Sequence, residues 1–359
     1  MLLLRLERIG DLLMILDAIH MARDTWPRAE LDLVVGEWNL PLAKLITAIT
    51  RVETISVPWL ARNGGADNWR TLVTKARTWA ERRYDVAINF EPDIRSNFLL
   101  WWSGAAVRAG YSSGGGGALL TDATAYDPSR HVAVNAQLLV ERVARLTTGV
   151  RVPTAPTRAT LALPSDLDVP VLAALDGATR PLIGVHTSGG RESKQWDPAR
   201  FAEVARRLVS ERGGTIVLTG AREDGPLVEA VQANLQGIPV LNVSGTTGLV
   251  ALAAVLARMD VIVTGDTGPM HLAAAVGAPV VALFGPSDPA RYGPRARSER
   301  ILTAADVPCR PCGRVRLPPA RCRGHVPDCM NGISVDVVVR AALALIDEGP
   351  AGAGDAAAR

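Results

Sequence analysis

Residues 261–271, Val-Ile-Val-Thr-Gly-Asp-Thr-Gly-Pro-Met-His, carry the clearest chemistry in the chain. An apolar run that ends in Gly-Asp-Thr-Gly and continues into Pro reads as a buried strand, a tight turn and a helix with Pro269 at its first position. The amides of Thr267, Gly268 and Met270 then lack intrahelical partners and the helix dipole adds partial positive charge, so a phosphate fits there. Gly268 permits close approach. The same residues equally describe a capped turn in which Asp266 or Thr267 ties down the loop.

A second loop, Gly-Val-His-Thr-Ser-Gly-Gly-Arg-Glu-Ser-Lys-Gln-Trp-Asp-Pro at 184–198, leaves another strand. Thr187 and Ser188 open it, and Asp197 with Pro198 starts the next helix, whose buried face carries Phe201, Val204, Ala205 and Leu208. Lys194 thus stands at the C-terminal edge of a sheet, where open α/β sheets bind ligands. Its ammonium suits a diphosphate, although a loop lysine is equally at home in solvent. Trp196 packs beneath the loop or fills core. No Gly-x-Gly-x-x-Gly opens either half and no Gly-x-x-x-x-Gly-Lys-Ser/Thr occurs, which weighs against common NAD enzymes and P-loop NTPases. Asp166-Leu167-Asp168 has metal-binding spacing but no strand before it, and reads as linker.

The four cysteines all fall within residues 309–329, as Cys309-x-x-Cys312, Cys322 and Cys329. In a reducing compartment a structural zinc is favoured over two disulfides or an iron–sulfur cluster. The irregular spacing leaves reduced thiols in a loop as the open alternative. A catalytic thiol is not expected.

At 359 residues the chain exceeds what one hydrophobic core usually organises, so two domains are the default. Apolar residues at 48% and charged residues at 21% describe a folded protein. The formal charge of +3 is too small and too dispersed to imply nucleic acid. One stretch departs from this: residues 291–323 hold nine arginines against Glu299 and Asp306, which could face phosphates, an anionic membrane surface or only solvent. Arg5, Glu7, Arg8 and Asp11 follow the apolar Met1–Leu4 too soon for an export signal, and prolines divide the uncharged run 267–287. The chain reads as a cytoplasmic monomer with at most peripheral membrane contact.

Apolar runs alternate with segments of helical period, the pattern of βα units and a parallel sheet, and the pattern runs twice. Strands are expected at Leu2–Leu6, Leu31–Val35, Val52–Val57 and Val86–Phe90. A second set is expected at Leu182–Val185, Thr215–Leu218, Val240–Val243, Val261–Val263 and Val280–Leu283. Leu12, Ile15, Leu16 and Ile19 share one helix face. The proline-rich stretch 151–170 carries the crossing, giving an N-terminal domain 1–165, a C-terminal domain 166–348 and a flexible tail 349–359. The glycine run in Ser112–Gly117 reads as mobile, either a lid or a plain loop. Seven of the eight tryptophans precede residue 103, as core or as sugar-stacking surface.

In this order, the elements resemble glycosyltransferase family 9, the ADP-heptose:lipopolysaccharide heptosyltransferases and their relatives. Arg-Leu-Glu-Arg-Ile-Gly-Asp-Leu-Leu (5–13) is similar to that family's first strand and Gly-Asp loop, with Gly10 preceding Asp11. Ser193-Lys194-Gln195-Trp196 is similar to its Ser-Lys-x-Trp loop, and Asp266-Thr267-Gly268-Pro269-Met270-His271 to its Asp-Thr/Ser-Gly-x-x-His signature. The resemblance implies a GT-B architecture, two Rossmann-like domains facing across a cleft, with inverting transfer that needs no metal or other cofactor. It makes Asp11 the general base. At a helix start, where amide dipoles favour an anionic side chain, that role and a plain N-cap of a helix from Leu12 are compatible. Lys194 and the amides at Thr267 and Gly268 would stabilise charge on the leaving diphosphate.

The resemblance also places Glu223 or Asp224 on the donor ribose, Thr247 and Leu249 in the loop around the base, and His271 behind the phosphate loop. Arg8, Arg95, Ser96 and Arg108 would face a glycan or glycolipid acceptor. Asp17 replaces a frequent Pro and Glu7-Arg8 a common Ser-Ser, so the acceptor is expected to differ from that of inner-core enzymes, while the resemblance favours an ADP-linked heptose as donor. A nucleotide-sugar epimerase or hydrolase on the same fold, or a non-catalytic nucleotide-sugar-binding partner, stays open at this point.

Overall fold

The computed structural model describes residues 1–60, 67–153, 160–165, 167 and 170–349. Asp166 and Asp168 of the Asp-x-Asp, and the tail beyond Gly349, lie outside them. The chain divides into Met1–Ala162 and Leu163–Arg359, so the division precedes residue 165 by a few positions.

The first unit holds strands β1 (Leu2–Arg5), β2 (Asp32–Val35), β3 (Arg51–Thr54), β4 (Val86–Asn89), β5 (Val107–Tyr111) and β6 (Asp122–Thr124). All neighbours are parallel, in the order β3-β2-β1-β4-β5-β6. The second unit holds β7 (Leu182–His186), β8 (Thr215–Thr219), β9 (Val240–Asn242), β10 (Val261–Gly265), β11 (Val280–Phe284) and β12 (Glu299–Thr303). Its order, β12-β11-β10-β7-β8-β9, repeats the first sheet's topology. Each unit is therefore a Rossmann-like doubly wound sheet, with a topological switch point where its first and fourth strands meet.

Burial explains the pattern. β1, β2, β4, β7, β8, β10 and β11 are buried along their whole length, as parallel strands covered on both faces must be. Leu12, Ile15, Leu16 and Ile19 are buried as expected, but the helix breaks at Ile15 into Ile9–Met14 and Leu16–Thr25. β5, β6 and β12 were not anticipated: Val-Arg-Ala-Gly-Tyr, Asp-Ala-Thr and Glu-Arg-Ile-Leu-Thr are short or polar, and β6 and β12 are edge strands.

The glycine run corrects the expectation of mobility. Asn97 Nδ2 donates to the carbonyls of Tyr111 (2.9 Å) and Gly115 (3.0 Å), and Tyr126 N donates to Ser113 Oγ at 2.8 Å. A Cβ on Gly114 would lie 2.0 Å from the Pro92 carbonyl oxygen, so glycine is there because another backbone presses against it. Within the arginine-rich segment, Arg310 holds the carbonyls of Gly285 and Ala304, and Arg300 pairs with Glu348. Those two guanidiniums are engaged by groups of their own unit. No helix among the described residues is long and apolar enough to cross a membrane.

Candidate active site

In the second unit the switch point lies between β7 and β10, whose registers bring His186 beside Thr264. The loop after β10 enters the helix Gly268–Ala275 with Thr267 as N-cap and no side-chain cap hydrogen bond. Thr267 Oγ1 turns back to the Gly265 carbonyl at 3.4 Å, and Asp266 Oδ2 is taken by Lys194 Nζ at 2.6 Å. Both side chains tie down the loop, as the capped-turn alternative expects, but neither caps the helix, which leaves the first-turn amides open to an anion. Lys194 also donates to the Asp266 carbonyl at 3.2 Å, and the two side chains are 19% and 9% exposed. The ammonium is thus not a lone loop cation. It stitches the loop after the first strand of this sheet to the loop after the fourth.

The loop that carries Lys194 is itself clamped. Gly189 N donates to Gln195 Oε1 at 2.8 Å while Gln195 Nε2 donates to the Thr187 carbonyl. A Cβ on Gly189 would come within 2.7 Å of the Lys194 carbonyl carbon, so the loop folds back on itself only with glycine there. Ser188 Oγ accepts from Gly190 N at 3.1 Å, whereas the buried Thr187 hydroxyl has no hydrogen-bond partner among the described residues. Trp196 is fully buried, edge-on to Phe201 at 4.9 Å, and so fills core beneath the loop. Asp224 Oδ2 accepts from Ala221 N at 2.8 Å, while Glu223 is exposed. Leu249 opens the helix Leu249–Leu256 behind Gly248, Thr247 precedes it half-buried, and His271 is buried in the first turns of its helix.

The first unit repeats the device. β1 ends at Arg5, whose guanidinium meets Asp11 Oδ1 at 3.1 Å, Glu91 Oε2 at 3.3 Å and the Phe90 carbonyl at 2.7 Å. Glu91 Oε1 in turn accepts from Leu6 N (2.7 Å) and Glu7 N (2.9 Å), joining the loops after β1 and β4. Burial works against the Arg5 charge, but the Glu91 and Asp11 carboxylates outweigh it and hold the guanidinium above its ordinary value. Asp11 lies in the first turn of Ile9–Met14, whose N-cap is Arg8, so Asp11 is not the N-cap of a helix from Leu12. Its side chain is 28% exposed, anchored by one oxygen.

A match to the family description Glycosyltransferase family 9 (heptosyltransferase) extends over residues 74–318. The chain belongs to glycosyltransferase family 9. It is 28% identical to lipopolysaccharide heptosyltransferase 2 of Salmonella typhimurium over 312 residues, covering 82% of this chain and 85% of that protein. It is also 28% identical to lipopolysaccharide heptosyltransferase 1 of Pseudomonas aeruginosa, covering 87% and 85%. Among solved structures, E. coli ADP-heptose lps heptosyltransferase II superposes with a TM-score of 0.79 at 21% identity over 97% of this chain and 98% of that one, a likeness of fold. The fold class is GT-B, and the chain is a glycosyltransferase.

Against that family pattern, the residues expected on the acceptor side separate. Arg8 donates to the Leu60 carbonyl and lies over Trp38 at 4.7 Å, and Gly10 is buried in the Asp11 turn. Arg95 pairs with Asp93 and covers Trp59 at 4.6 Å. Ser96 is buried, its hydroxyl donating to the Asp93 carbonyl and accepting from Asn89 Nδ2. Arg108 is a correction: it pairs with Ala87, which pairs with Leu2 at the start of β1, and donates to the carbonyls of Ala105 and Leu119. It belongs to the opposite sheet edge from Asp11. Glu91 went unnoticed in the sequence, although an acid directly after a buried strand was the available signal, and Gln195 figured only as the variable position of the Ser-Lys-x-Trp loop.

The four cysteines line one narrow cavity of the family 9 enzyme with Arg321 and Ser193. Among the described residues, however, no group of three or more His, Cys, Asp or Glu side chains is arranged to hold a metal ion, so the thiols do not fit the expected zinc. Burial, with the neighbouring thiols, pushes Cys329 up to about 11, the behaviour of an inert core thiol.

His186 gives a pH test of the second sheet. Burial lowers its pKa to about 4, with Asp224 and Thr219 pulling the other way, and Nδ1 lies 3.1 Å from Thr219 Oγ1. The unfolded chain has an ordinary histidine of about 6.5, so protons favour unfolding between the two values. Its stabilising contribution is complete above about pH 6.5 and is lost as pH falls toward about 4, to a limit of about 3 kcal/mol. Denaturant unfolding of the wild type and His186→Gln across this window should show the wild type losing stability faster on acidification. Parallel curves would refute the assignment.

Proposed function

We propose that this family 9 enzyme transfers a heptose from an ADP-linked donor to a hydroxyl of a lipopolysaccharide-core or related cell-envelope acceptor, with inversion and without a metal ion. It would work at the cytoplasmic face of the membrane, as a monomer. The carrying observation is the Lys194–Asp266 pair beside the uncapped helix start at Thr267. Amides aimed at an anion, with an ammonium alongside, supply the charge that a divalent ion would otherwise bring to a leaving diphosphate. The ADP-heptose named for the E. coli neighbour, and the heptosyltransferase names of the curated relatives, support the donor and acceptor classes.

In this reading Asp11 takes the proton of the acceptor hydroxyl, and its oxygen attacks the anomeric carbon as the bond to the diphosphate oxygen breaks. Lys194 and the amides of Thr267 and Gly268 receive the charge that collects on the leaving phosphate. Thr187, whose buried hydroxyl has no hydrogen-bond partner among the described residues, and Ser188 bind donor oxygens. Glu223 meets the ribose, because Asp224 already holds the Ala221 amide. Thr247 and Leu249 border the base, while Pro269 and His271 shape the phosphate turn.

A thermal-shift panel of ADP, UDP and GDP, followed by product analysis with ADP-heptose, tests the reading. ADP at about a hundred times its Kd should add about 2.7 kcal/mol and raise Tm by a few degrees. A response confined to UDP or GDP overturns the donor. Donor consumed without an acceptor product would make the protein an epimerase or hydrolase instead.

A further inference from the structure

Four tryptophans of the first unit and Phe98 form one connected stripe. Trp59 stacks on Trp69 at 5.5 Å, Trp69 meets Phe98 at 6.0 Å, and Phe98 meets Trp101 at 6.3 Å and Trp102 at 6.1 Å. The stripe has a held side and an outward side. Trp59 and Trp102 pack against the core of the first sheet, whereas Trp69 and Trp101 are 44% and 42% exposed and neighbouring Ile94 is 49% exposed. Monomer surfaces rarely expose several large rings in one connected run unless a partner covers them.

The surroundings choose the partner. The helices Trp69–Glu81 and Ile94–Trp101 carry Arg70, Lys75, Arg77 and Arg95 against the single acid Glu81. Arg77 lies over Trp102 at 4.2 Å and Arg95 over Trp59 at 4.6 Å. Nearby Asp67 and Asp93 are tied to Lys75 and Arg95. A sugar platform needs side-chain acceptors for hydroxyls beside its rings, and here the two nearby carboxylates are already engaged by Lys75 and Arg95. A two-fold contact between copies would bring together two patches with the same excess of arginine and lysine. Indole, arginine and exposed aliphatic together are what a bilayer interface with anionic headgroups selects. The stripe also starts at the edge of the first sheet that holds Asp11: Ile94 opens its helix just after Glu91, which bonds to Arg5, Leu6 and Glu7.

We propose that Trp69, Trp101 and Ile94, with Arg70 and Arg77, form the surface by which the enzyme docks on an anionic lipid bilayer. The purpose of this docking, presenting a membrane-held acceptor beside Asp11, rests on the proposed function; the docking itself does not.

Vesicle flotation of the full chain tests it, using phosphatidylcholine alone and phosphatidylcholine with about one-third phosphatidylglycerol. The wild type should float with the anionic vesicles, weakly with the neutral ones, and less in about 0.5 M salt. The pairs Trp69→Ser with Trp101→Ser, and Arg70→Glu with Arg77→Glu, should each lower partitioning by about tenfold while keeping the ADP thermal shift of the wild type. Transfer to a water-soluble acceptor fragment should be unchanged in both, with transfer to a vesicle-embedded acceptor reduced. Equal flotation of variants and wild type, or no wild-type flotation, overturns the proposal. Loss of soluble-acceptor transfer would make the stripe a glycan subsite, and a mass that doubles with concentration only in the wild type would make it a contact between copies. Failure of all transfer removes the proposed function and leaves the flotation result standing.

Discussion

Asp11→Asn should leave nucleotide binding intact and reduce transfer by roughly a thousandfold, the middle of the range for a positioned general base. Asn keeps the size and one acceptor oxygen, so Arg5 retains the Asp11 backbone carbonyl, Glu91 and the Phe90 carbonyl as partners. The buried guanidinium therefore stays compensated, and the change removes proton uptake rather than the fold. Donor affinity should be unaffected because the residues proposed to bind the donor belong to the other unit. Rates measured at saturating donor, beside ADP affinity by calorimetry, separate the two effects. A variant that transfers within about threefold of the wild type removes Asp11 from the mechanism.

Lys194→Ala should lower the transfer rate by roughly a hundredfold or more, the usual consequence of deleting one group that stabilises developing charge. The pair geometry adds a second effect. Asp266, 9% exposed and relieved of its ammonium, would place an uncompensated carboxylate beside the phosphate turn. That should cost about 2 kcal/mol of stability and weaken ADP binding as well. The double variant Lys194→Ala with Asp266→Asn separates these roles, recovering stability and much of the ADP affinity without recovering the rate. Full recovery of the rate would mean that Lys194 serves only to silence Asp266.

What could be read in the sequence follows from how local each cause is. The buried parallel strands announce themselves as apolar runs, and Asp197–Pro198 as a helix start, because burial and capping act within a few residues. β12 and the order inside Ser112–Gly117 were invisible because distant chain causes them: β12 pairs with β11, and Gly114 answers to Pro92. The same division runs through the site. The turn at Thr267 is a local motif, but the partnership of Lys194 with Asp266 joins two segments of separate motifs, and Arg5 with Glu91 lies across 86 positions. Ile15, which reads as one link in a continuous helix, sits at its break.

Each sheet ties the loops after its own first and fourth strands with charges from its own unit, Arg5 with Glu91 in one and Lys194 with Asp266 in the other. Under the proposed function, substitutions beside the Arg5–Glu91 tie would alter the recipient of the sugar while the Lys194–Asp266 tie keeps its own shape, so a lineage would change what it decorates and inherit what it decorates with.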